Sequence, residues 1–396
     1  MMVERELLGK NIEDVQRLNQ VSVLQVLRQN GVISRKQISD YVGLTPGTVT
    51  NIVRDLIEAG YVIETGFLSG KKGRRAVGLT INPEGFYVMG VRLSRASIVC
   101  RIYNPNAEVI VSKKVPIEDF ERAQQVLNCM LDSMGEVIEE SGVAGKLQAI
   151  GVSTPGPLNL KEGKITYLHG NIDWRDVPIR QLVQDRFGIP TILEHDANAA
   201  ALAEVLFGEA KDVNNLVYVA VGRGIGAGII LKGEPYHGSL GTAGQLGHVS
   251  VNLDGPRCQC GGSGCLTNYS SSKAFIKRMQ HLGVDTKGEI NGLVDLAKHG
   301  NKTVHEEVMK AAHYTGVAVA SAVNLLNPEV IIFGDEMTWF GPLWFNTAKE
   351  TVLSRLAPEI AQGVDVRLSS FGQDAFLLGT GAIALEYVCQ NPVMNR

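Results

Sequence analysis

Three cysteines and one histidine crowd a short segment of this 396-residue chain. Cys258, Cys260 and Cys265 lie within eight residues of one another, and His248 precedes them. Three thiolates and one imidazole are the ligand set of a closed, four-coordinate structural zinc, which leaves no position for a catalytic water. The alternative is three unpaired cysteines in a buried loop. Four nearby glycines would let the loop fold around an ion, namely Gly255, Gly261, Gly262 and Gly264.

A second candidate for chemistry is a short basic segment, Lys71, Lys72, Arg74 and Arg75. Two short apolar runs, residues 61–64 and 77–81, flank it and predict a β-hairpin with a basic tip. Such a tip is typical of the wing of a winged helix, where Arg or Lys enters the minor groove of DNA. The alternative is a solvated turn on a three-helix domain that binds protein.

Helix signals precede this hairpin. Apolar residues recur at helical spacing over residues 11–29, and Ser34 and then Thr45-Pro46 are typical starts of two further helices. The third helix has an apolar face and a polar face, and short polar side chains with one Arg suit base edges and phosphates. We therefore predict a winged helix-turn-helix over residues 1–85 whose DNA contacts are Ser34, Arg35, Thr45, Thr48, Thr50, Asn51, Arg54, Lys71, Lys72, Arg74 and Arg75.

Residues 86–396 alternate between strand and helix signals. Strands are predicted at 86–93, 98–103, 109–115, 147–152, 216–221 and 226–231, and helices at about 120–140, 272–283, 293–298 and 303–326. A similar order of elements occurs twice, which predicts an α/β fold of two related lobes with a cleft between them. The lobes are expected at roughly 86–200 with the C-terminal helix, and at 201–375.

Several motifs resemble the ROK family of bacterial repressors and sugar kinases, and its repressor branch in particular, which includes xylose repressors and the glucose-related repressor Mlc. The resemblance covers nearly the whole chain. It is carried by residues 34–60, the wing segment 73–79, STPG at 153–156, NIDWRDVP at 171–178, EHDANAA at 194–200, GIGAG at 224–228 and AGQLGHVSVNLDGPRCQCGGSGCL at 243–266. It implies a two-lobed actin-like ATPase fold, zinc held by His248, Cys258, Cys260 and Cys265, and a homodimer or homotetramer.

The same resemblance implies a sugar site. Two carboxylates of the family pattern are replaced, by Gln245 and by Thr267, and an Asn is replaced by His195. A neutral pocket loses strong acceptors for sugar hydroxyls but tolerates an anionic ligand such as a sugar phosphate better. For Asp196 the alternative is a solvated loop carboxylate or a helix cap, and for His248 it is a purely structural role. The implied sugar contacts are Gly156, Asn171, His195, Asp196, Gln245, His248 and Thr267.

Kinase activity is not expected, so no catalytic residue is assigned. Family kinases use the Asp at position 196 as a general base and two Gly-rich loops to hold ATP phosphates. Here the first loop reads Gly90-Val91-Arg92-Leu93-Ser94-Arg95-Ala96, without the family's aspartate, loop glycines or threonine. The second carries Arg223 in place of a threonine. Both changes remove the close backbone approach that phosphate binding requires.

Composition agrees with a globular protein that acts in the cytoplasm. Apolar residues make up 44% and charged residues 20%, the net charge is −3, and the N-terminus lacks the apolar run of a secretory signal. We predict a repressor that binds a pseudo-palindromic operator in double-stranded DNA and is released by a monosaccharide or sugar-phosphate effector. The alternatives are release by a protein partner, and a residual sugar kinase with a DNA-binding arm.

Overall fold

The computed structural model describes residues 11–68, 76–120, 122–168, 172–286 and 288–394, and only the backbone of Ile12. Within these ranges the protein contains a three-stranded sheet, two five-stranded sheets and a two-stranded hairpin. None of the described helices is long and apolar enough to cross a membrane. Five predicted site residues lie outside the described ranges, namely Lys71, Lys72, Arg74, Arg75 and Asn171.

The N-terminal part folds as three helices and a small antiparallel sheet. Its elements are α1 (Ile12–Asn30), β1 (Ile33–Ser34), α2 (Arg35–Val42), α3 (Pro46–Glu58), β2 (Val62–Phe67) and β3 (Val77–Ile81). The strand order is β1-β3-β2, with β3 antiparallel to both neighbours. The three predicted helices and the hairpin are confirmed. Strand β1 is not among the predicted elements, because two residues carry no periodic signal.

Side-chain caps begin the two helices of the helix-turn-helix. The Ser34 hydroxyl accepts a hydrogen bond from the Gln37 N–H at 3.3 Å, and the Gln37 side chain accepts one from the Ser34 N–H at 3.0 Å. The Thr45 hydroxyl accepts from the Thr48 N–H at 3.3 Å, and Pro46 follows in the first helical turn. Each cap of this kind is worth about 1 kcal/mol. The start of both helices is therefore set by local sequence.

The next part of the chain is built on a five-stranded sheet. In chain order it contains β4 (Tyr87–Leu93), β5 (Ser97–Tyr103), β6 (Val109–Pro116), α4 (Ala123–Ser141), β7 (Leu147–Thr154), the hairpin β8 (Leu158–Asn159) and β9 (Lys164–Ile165), α5 (Ile179–Phe187) and β10 (Thr191–His195). The strand order is β10-β7-β4-β5-β6. Strands β4, β7 and β10 are parallel, whereas β5 and β6 are antiparallel to their neighbours.

A second five-stranded sheet follows the same plan. In chain order, the elements from residue 196 onward are α6 (Asp196–Leu206), β11 (Leu216–Val221), β12 (Ile225–Leu231), β13 (Glu234–Pro235), α7 (Thr267–Ser270), α8 (Ser272–His281), α9 (Ile290–Lys298), α10 (Lys302–Leu326), β14 (Val330–Gly334), α11 (Pro342–Leu353), α12 (Pro358–Gly363), β15 (Asp365–Leu368) and α13 (Asp374–Gln390). Helix α13 packs against β4 and β7 of the first sheet. The order β15-β14-β11-β12-β13 repeats that of the first sheet, with β11, β14 and β15 parallel. The predicted α/β class with two related lobes is confirmed.

Helices α6 and α13 form a layer between the two sheets. A Cβ atom at Gly379 of α13 would lie 1.8 Å from the Ala199 carbonyl oxygen of α6, so only glycine permits this contact. A Cβ atom at Gly151 of β7 would lie 2.1 Å from the Thr380 carbonyl oxygen. Helix α13 is buried on almost every side, as expected for a helix with no polar face. Its position connects both lobes.

One apolar core joins the N-terminal part to the first lobe and to α13. Leu24 and Tyr61 pack in the same cluster as Phe86, Leu385 and Val388. The Tyr61 hydroxyl donates to the Gln148 side chain at 2.8 Å and accepts from the Val393 N–H at 2.9 Å. The guanidinium of Arg28 on α1 pairs with the carboxylate of Glu386 on α13. The N-terminal part is thus docked by both apolar and charged contacts.

Candidate functional site

A cleft of about 1830 Å³ lies between the two lobes, and residues of both lobes line it. Its walls include residues that directly follow β4, β7, β10, β11 and β14. Because these strands are parallel within each sheet, their carboxyl ends meet at one edge, which is where α/β sheets bind ligands. The topology therefore brings together side chains that are far apart in sequence, for example Arg95 and Asp335, which are 240 residues apart.

All the predicted sugar contacts within the described residues line this cleft. Gly156 follows β7, and His195 and Asp196 stand where β10 passes into α6. Gln245 and His248 lie in the segment after β13, and Thr267 is the first residue of α7. Asn171 lies outside the described ranges. The cleft thus collects six of the seven predicted residues, and their role as sugar contacts stays a prediction.

His195 and Asp196 are both oriented by the N-terminus of α6. The Ala197 N–H donates to the Asp196 carboxylate at 2.8 Å and to Nδ1 of His195 at 3.3 Å. In a neutral imidazole whose Nδ1 accepts a hydrogen bond, the proton is on Nε2, so the ring presents a donor there. The N-cap of α6 is His195, and Asp196 is the first residue of the helix, so the alternative role of Asp196 as the cap is wrong. The hydrogen bond from Ala197 uses only one lone pair of Oδ1 of Asp196, which leaves acceptor positions on the carboxylate for a sugar hydroxyl.

Sequence reasoning missed the residue that supports this pair. The buried Glu194 accepts from the His195 N–H at 2.8 Å and from the Asn198 side chain at 2.9 Å. Its second carboxylate oxygen lies 2.7 Å from Nε2 of His237, and this hydrogen bond raises the pKa of His237 above its usual range. Glu194 and Asn198 both belong to the EHDAN motif, so that motif was the available signal. No sequence pattern indicated that His237, 43 residues away, would bond to Glu194.

The side of the cleft that corresponds to the phosphate loops is rich in arginine. Arg92, Arg95 and Arg223 all line it. The Arg92 guanidinium lies 3.9 Å from the centroid of the Phe376 ring. Beside it, burial raises the pKa of Asp335 to about 6, although the charge of Arg92 acts in the opposite direction. Asp335, which follows β14, is a second residue that sequence reasoning missed, because only an apolar run marks its strand.

The four predicted metal ligands converge next to the cleft. The ligand atoms of His248, Cys258, Cys260 and Cys265 all lie within 4.8 Å of one another. The Cys260 and Cys265 sulfurs are 3.6 Å apart, and Nδ1 of His248 is 3.7 Å from the Cys258 sulfur. Thiolates about 2.3 Å from a tetrahedral zinc would be roughly 3.8 Å apart, so the cluster matches that geometry. The residues present therefore fit a metal ion.

Two contacts explain how this loop can fold so tightly. A Cβ atom at Gly264 would lie 1.7 Å from the Asn252 carbonyl oxygen, and Gly264 has a left-handed φ of 66°. The Cys258 N–H donates to the Gly262 carbonyl at 2.9 Å, which closes the turn that carries Cys260. Because His248 lines the cleft and also faces the thiolates, the metal cluster and the cleft share a residue.

The proposed recognition helix presents a polar outer face. On α3, Thr50, Asn51 and Arg54 are exposed and Thr48 is half-buried, whereas Val49 and Val53 are fully buried. Arg54 pairs with Asp55 at 3.2 Å and approaches Glu58 at 4.0 Å, exposed contacts that a phosphate could replace. The predicted division of this helix into an apolar and a polar face is confirmed.

The other predicted DNA contacts within the described residues differ in exposure. Thr45 is exposed, whereas Ser34 is buried and its side chain is engaged in the helix cap. Arg35 is partly exposed and pairs with Glu64 of β2 at 2.9 Å. Ser34 thus acts structurally in this arrangement, while Arg35 and Thr45 are accessible. The predicted wing residues Lys71, Lys72, Arg74 and Arg75 lie outside the described part of the chain.

Two family models and several known proteins match this chain. The model of the ROK family matches residues 88–387, and a model described as winged helix-turn-helix DNA-binding matches residues 17–63. A xylose repressor from Caldicellulosiruptor bescii is 31% identical, over 96% of this chain and 98% of its own length. An N-acetylglucosamine repressor from Escherichia coli O157:H7 is also 31% identical, over 83% of this chain and 82% of its own length.

Solved structures agree with this pattern. A ROK family transcriptional regulator described as a homolog of the Escherichia coli MLC protein has a TM-score of 0.81 at 27% identity, and the match covers 95% of this chain and 97% of that one. A ROK hexokinase from Thermus thermophilus has a TM-score of 0.65 at 29% identity, and that match covers 76% of this chain and 99% of the enzyme.

Proposed function

The chain belongs to the ROK family, and we propose that it is a sugar-responsive transcriptional repressor whose N-terminal winged helix binds operator DNA. The observation that carries this proposal is the exposed polar face of α3, on a winged helix docked to a sugar-kinase-like lobe. A recognition helix needs such a face to reach base edges in the major groove. Relatives of similar length named as repressors support the assignment.

The effector is proposed to be a sugar or a sugar derivative bound in the cleft. Asp196 would accept hydrogen bonds from sugar hydroxyls, while Nε2 of His195, Gln245 and Thr267 would supply neutral polar contacts. The ligand releases DNA only if it binds the DNA-incompetent state more tightly than the competent one. A relative named as a xylose repressor and one named as an N-acetylglucosamine repressor are both 31% identical to this chain. Sequence identity therefore does not indicate which sugar is the effector.

The same cleft is proposed to lack kinase activity. Arg223 occupies the turn after β11, where the family's kinases have a threonine, and Arg95 occupies the turn after β4. Bulky side chains at these turns prevent a nucleotide phosphate from approaching the backbone N–H groups. We expect no phosphoryl transfer from ATP to glucose, xylose or N-acetylglucosamine. Transfer at a rate typical of sugar kinases would instead make the chain an enzyme with a DNA-binding arm.

The metal cluster is proposed to hold a structural zinc through His248, Cys258, Cys260 and Cys265. When bound, zinc would act as a crosslink that holds the loop and orients the His248 ring beside the cleft.

A homodimer or homotetramer is proposed because a two-fold dimer presents two recognition helices to a pseudo-palindromic site. A protein that reads operator DNA in this way would work in the bacterial cytoplasm.

Fluorescence anisotropy of the full chain on DNA from its own upstream region tests the repressor proposal. The titration is made at constant salt with xylose, N-acetylglucosamine, glucose and their phosphates, because salt alone changes DNA affinity strongly. We expect tight binding that one compound reverses. Asn51→Ala should weaken DNA binding by roughly 1–3 kcal/mol without changing effector binding. Asn391→Ala, which changes the same residue type near the C-terminus, serves as the control.

Three outcomes of the titration separate the alternatives. Release of DNA by a sugar supports the proposal and names the effector. DNA binding that no sugar or sugar phosphate reverses would favour release by a protein partner. Absence of any sequence-specific binding would contradict the repressor function itself.

A further inference from the structure

Arg95 and Arg223 project into the same cleft from two tight turns. Arg95 lies between β4 and β5, where the Ser94 hydroxyl accepts a hydrogen bond from the Ser97 N–H at 3.0 Å. Arg223 lies between β11 and β12, where the Gly222 N–H donates to the Gly224 carbonyl at 3.0 Å. Because each turn is closed by its own hydrogen bonds, each arginine extends from a well-defined point of the backbone. We refer to these two residues as the arginine pair.

The arginine pair brings together two positive charges. The pKa of Arg95 is lowered, first by burial and second by the charge of Arg223. Both side chains are exposed, and within the described ranges neither guanidinium forms an ion pair. Arg95 lies 5.5 Å from the centroid of the Phe120 ring, much as Arg92, the third arginine of this wall, lies over Phe376. Two cations that face one cleft without a counterion form a site for an anion.

The acidic side chains of the cleft are mostly engaged elsewhere. Six carboxylates line it in the described part of the chain, and three of them, Glu118, Asp119 and Asp374, are exposed to solvent, as the arginine pair itself is. All six except Glu118 bond to neighbours other than the arginine pair: Asp119 to Arg122 at 3.1 Å, Asp374 to Arg101 at 3.0 Å, Asp335 to Gln373 at 3.0 Å, Asp196 to the Ala197 N–H at 2.8 Å, and Glu336 to Ser272. Within the described residues, the carboxylates of the cleft therefore do little to neutralise the charges of the arginine pair.

The arginine pair lies within reach of the proposed sugar contacts. A Cβ atom at Gly226 would be 3.3 Å from Cε1 of His195, which places the start of β12 against that ring. Arg223 precedes Gly226 by three residues, and three residues of extended chain span at most about 10 Å. On the other wall, Arg92, which precedes Arg95 by three residues, pairs in register with Ser153, and Ser153 pairs with Glu194 next to His195. A monosaccharide held at His195 and Asp196 could therefore extend a phosphoryl group toward the pair.

We propose, building on the proposed function, that Arg95 and Arg223 form an anion subsite that binds the phosphoryl group of a phosphorylated monosaccharide. The guanidinium groups would donate charge-assisted hydrogen bonds to the phosphate oxygens, in place of the backbone N–H groups that a kinase uses. The neutral residues Gln245 and Thr267 fit the same ligand, because carboxylates at those positions would repel a phosphate in the cleft. The effector class is thus an anionic sugar.

Inorganic phosphate is the first probe, because it tests the subsite without knowledge of the sugar. Its binding to the full chain is measured by ³¹P line broadening and by thermal shift. We compare the parent with the Arg95→Gln/Arg223→Gln double variant, and with Arg355→Gln, which removes an exposed arginine outside the cleft. Phosphate affinity should fall about tenfold or more in the double variant and stay unchanged in Arg355→Gln. Equal affinity in all three proteins would overturn the proposal.

Competition then identifies the source of the phosphoryl group. Glucose 6-phosphate, N-acetylglucosamine 6-phosphate and ATP are each titrated against bound phosphate. Displacement by a sugar phosphate, lost in the double variant, supports the proposal, whereas displacement by ATP alone overturns it in favour of a nucleotide site. DNA binding is measured on the same samples. Phosphate binding without DNA binding would contradict the repressor function but not the anion subsite. DNA binding without phosphate binding would contradict only the anion subsite.

Discussion

Glu194 holds together both sides of the proposed sugar site. Its first oxygen accepts from the His195 N–H and from the Asn198 side-chain amide, and the side-chain oxygen of Asn198 in turn accepts from the Ile229 N–H at 3.3 Å. Its second oxygen bonds to His237 in the segment that leads to Gln245. A buried carboxylate is stable only when its lone pairs are satisfied in this way. Glu194 therefore holds the backbone of His195, next to Asp196, and is not itself among the residues that line the cleft.

The His237–Glu194 contact predicts a pH dependence of stability. The pKa of His237 is higher in the folded protein than in the unfolded chain, mainly because of the hydrogen bond to Glu194. The stabilisation that protonated His237 contributes is therefore complete below its pKa in the unfolded chain, and it is lost as the pH rises through its pKa in the folded protein. The difference in unfolding free energy between the parent and His237→Gln should be larger at about pH 6 than at about pH 8.5. Chemical denaturation of both proteins checks this, and a difference that grows with pH would refute it.

Removal of one ligand should empty the metal cluster. Cys260→Ser replaces a thiolate by a hydroxyl, a much poorer zinc ligand, and we expect metal content to fall from about one equivalent per chain to a small fraction of that. Because His248 also lines the cleft, effector affinity should fall with it. Metal analysis and calorimetry measure the two effects, with Cys129→Ser as the control outside the cluster. Full metal retention in Cys260→Ser would contradict the ligand assignment.

At the scale of elements, α13 links the cleft to the DNA-binding part. Asp374 and Leu377 near its N-terminus line the cleft, and Glu386 near its C-terminus pairs with Arg28 of α1. Seventeen helical residues span roughly 25 Å. Because α13 is buried on almost all sides, it must move as a rigid body when it moves. A change at the cleft can therefore reach α1 through one helix.

Removal of the Arg28–Glu386 ion pair should lower the unfolding free energy by a measurable amount. Among the described residues, Glu386→Gln leaves the guanidinium of Arg28, whose side chain is only 15% exposed, without an ion-pair partner. We expect a loss of about 1–3 kcal/mol in unfolding free energy, and recovery when Arg28→Leu is added. Glu359→Gln, on the exposed side of α12, is the matched control. The prediction fails if Glu386→Gln and Glu359→Gln have the same stability.

At the scale of the whole molecule, the described contacts make the chain one connected body. The apolar core that contains Leu24 and Val388 continues from the winged helix into the first lobe, and the α6–α13 layer joins that lobe to the second. Two lobes on either side of a cleft can change their separation when a ligand fills it. Such a movement would alter the position of the winged helix relative to its copy in a dimer, and hence the half-site spacing that it fits.

Thermodynamic linkage makes this coupling testable in both directions. If an effector weakens DNA binding by a given factor, operator DNA must weaken effector binding by the same factor. Calorimetric titration of the effector into free protein and into the protein–DNA complex gives the ratio of the two effector affinities. This ratio should equal the ratio of the DNA affinities that anisotropy measures without and with effector. Unequal ratios would show that release of DNA involves a further equilibrium, such as a change of oligomeric state.

Local features of this protein were determined by the sequence alone. The four proposed metal ligands fall within 18 residues, the caps Ser34 and Thr45 act on residues three positions away, and the polar face of α3 follows from the helical period. Each of these depends on interactions between near neighbours, which periodicity and spacing can predict. The α/β class and the two lobes followed in the same way, from the alternation of strand and helix signals.

Only the tertiary structure decided the contacts between distant parts of the chain. The Glu194–His237 bond, the place of Asp335 in the cleft, the arginine pair and the Arg28–Glu386 contact across 358 residues have no local signal. They depend on which strands become neighbours and on how closely α6 and α13 pack, and that packing is set by glycines such as Gly379 against a backbone carbonyl. Long-range contacts of this kind exist only after the sheets have formed, because the parallel strand order is what brings the carboxyl ends of distant strands to one edge.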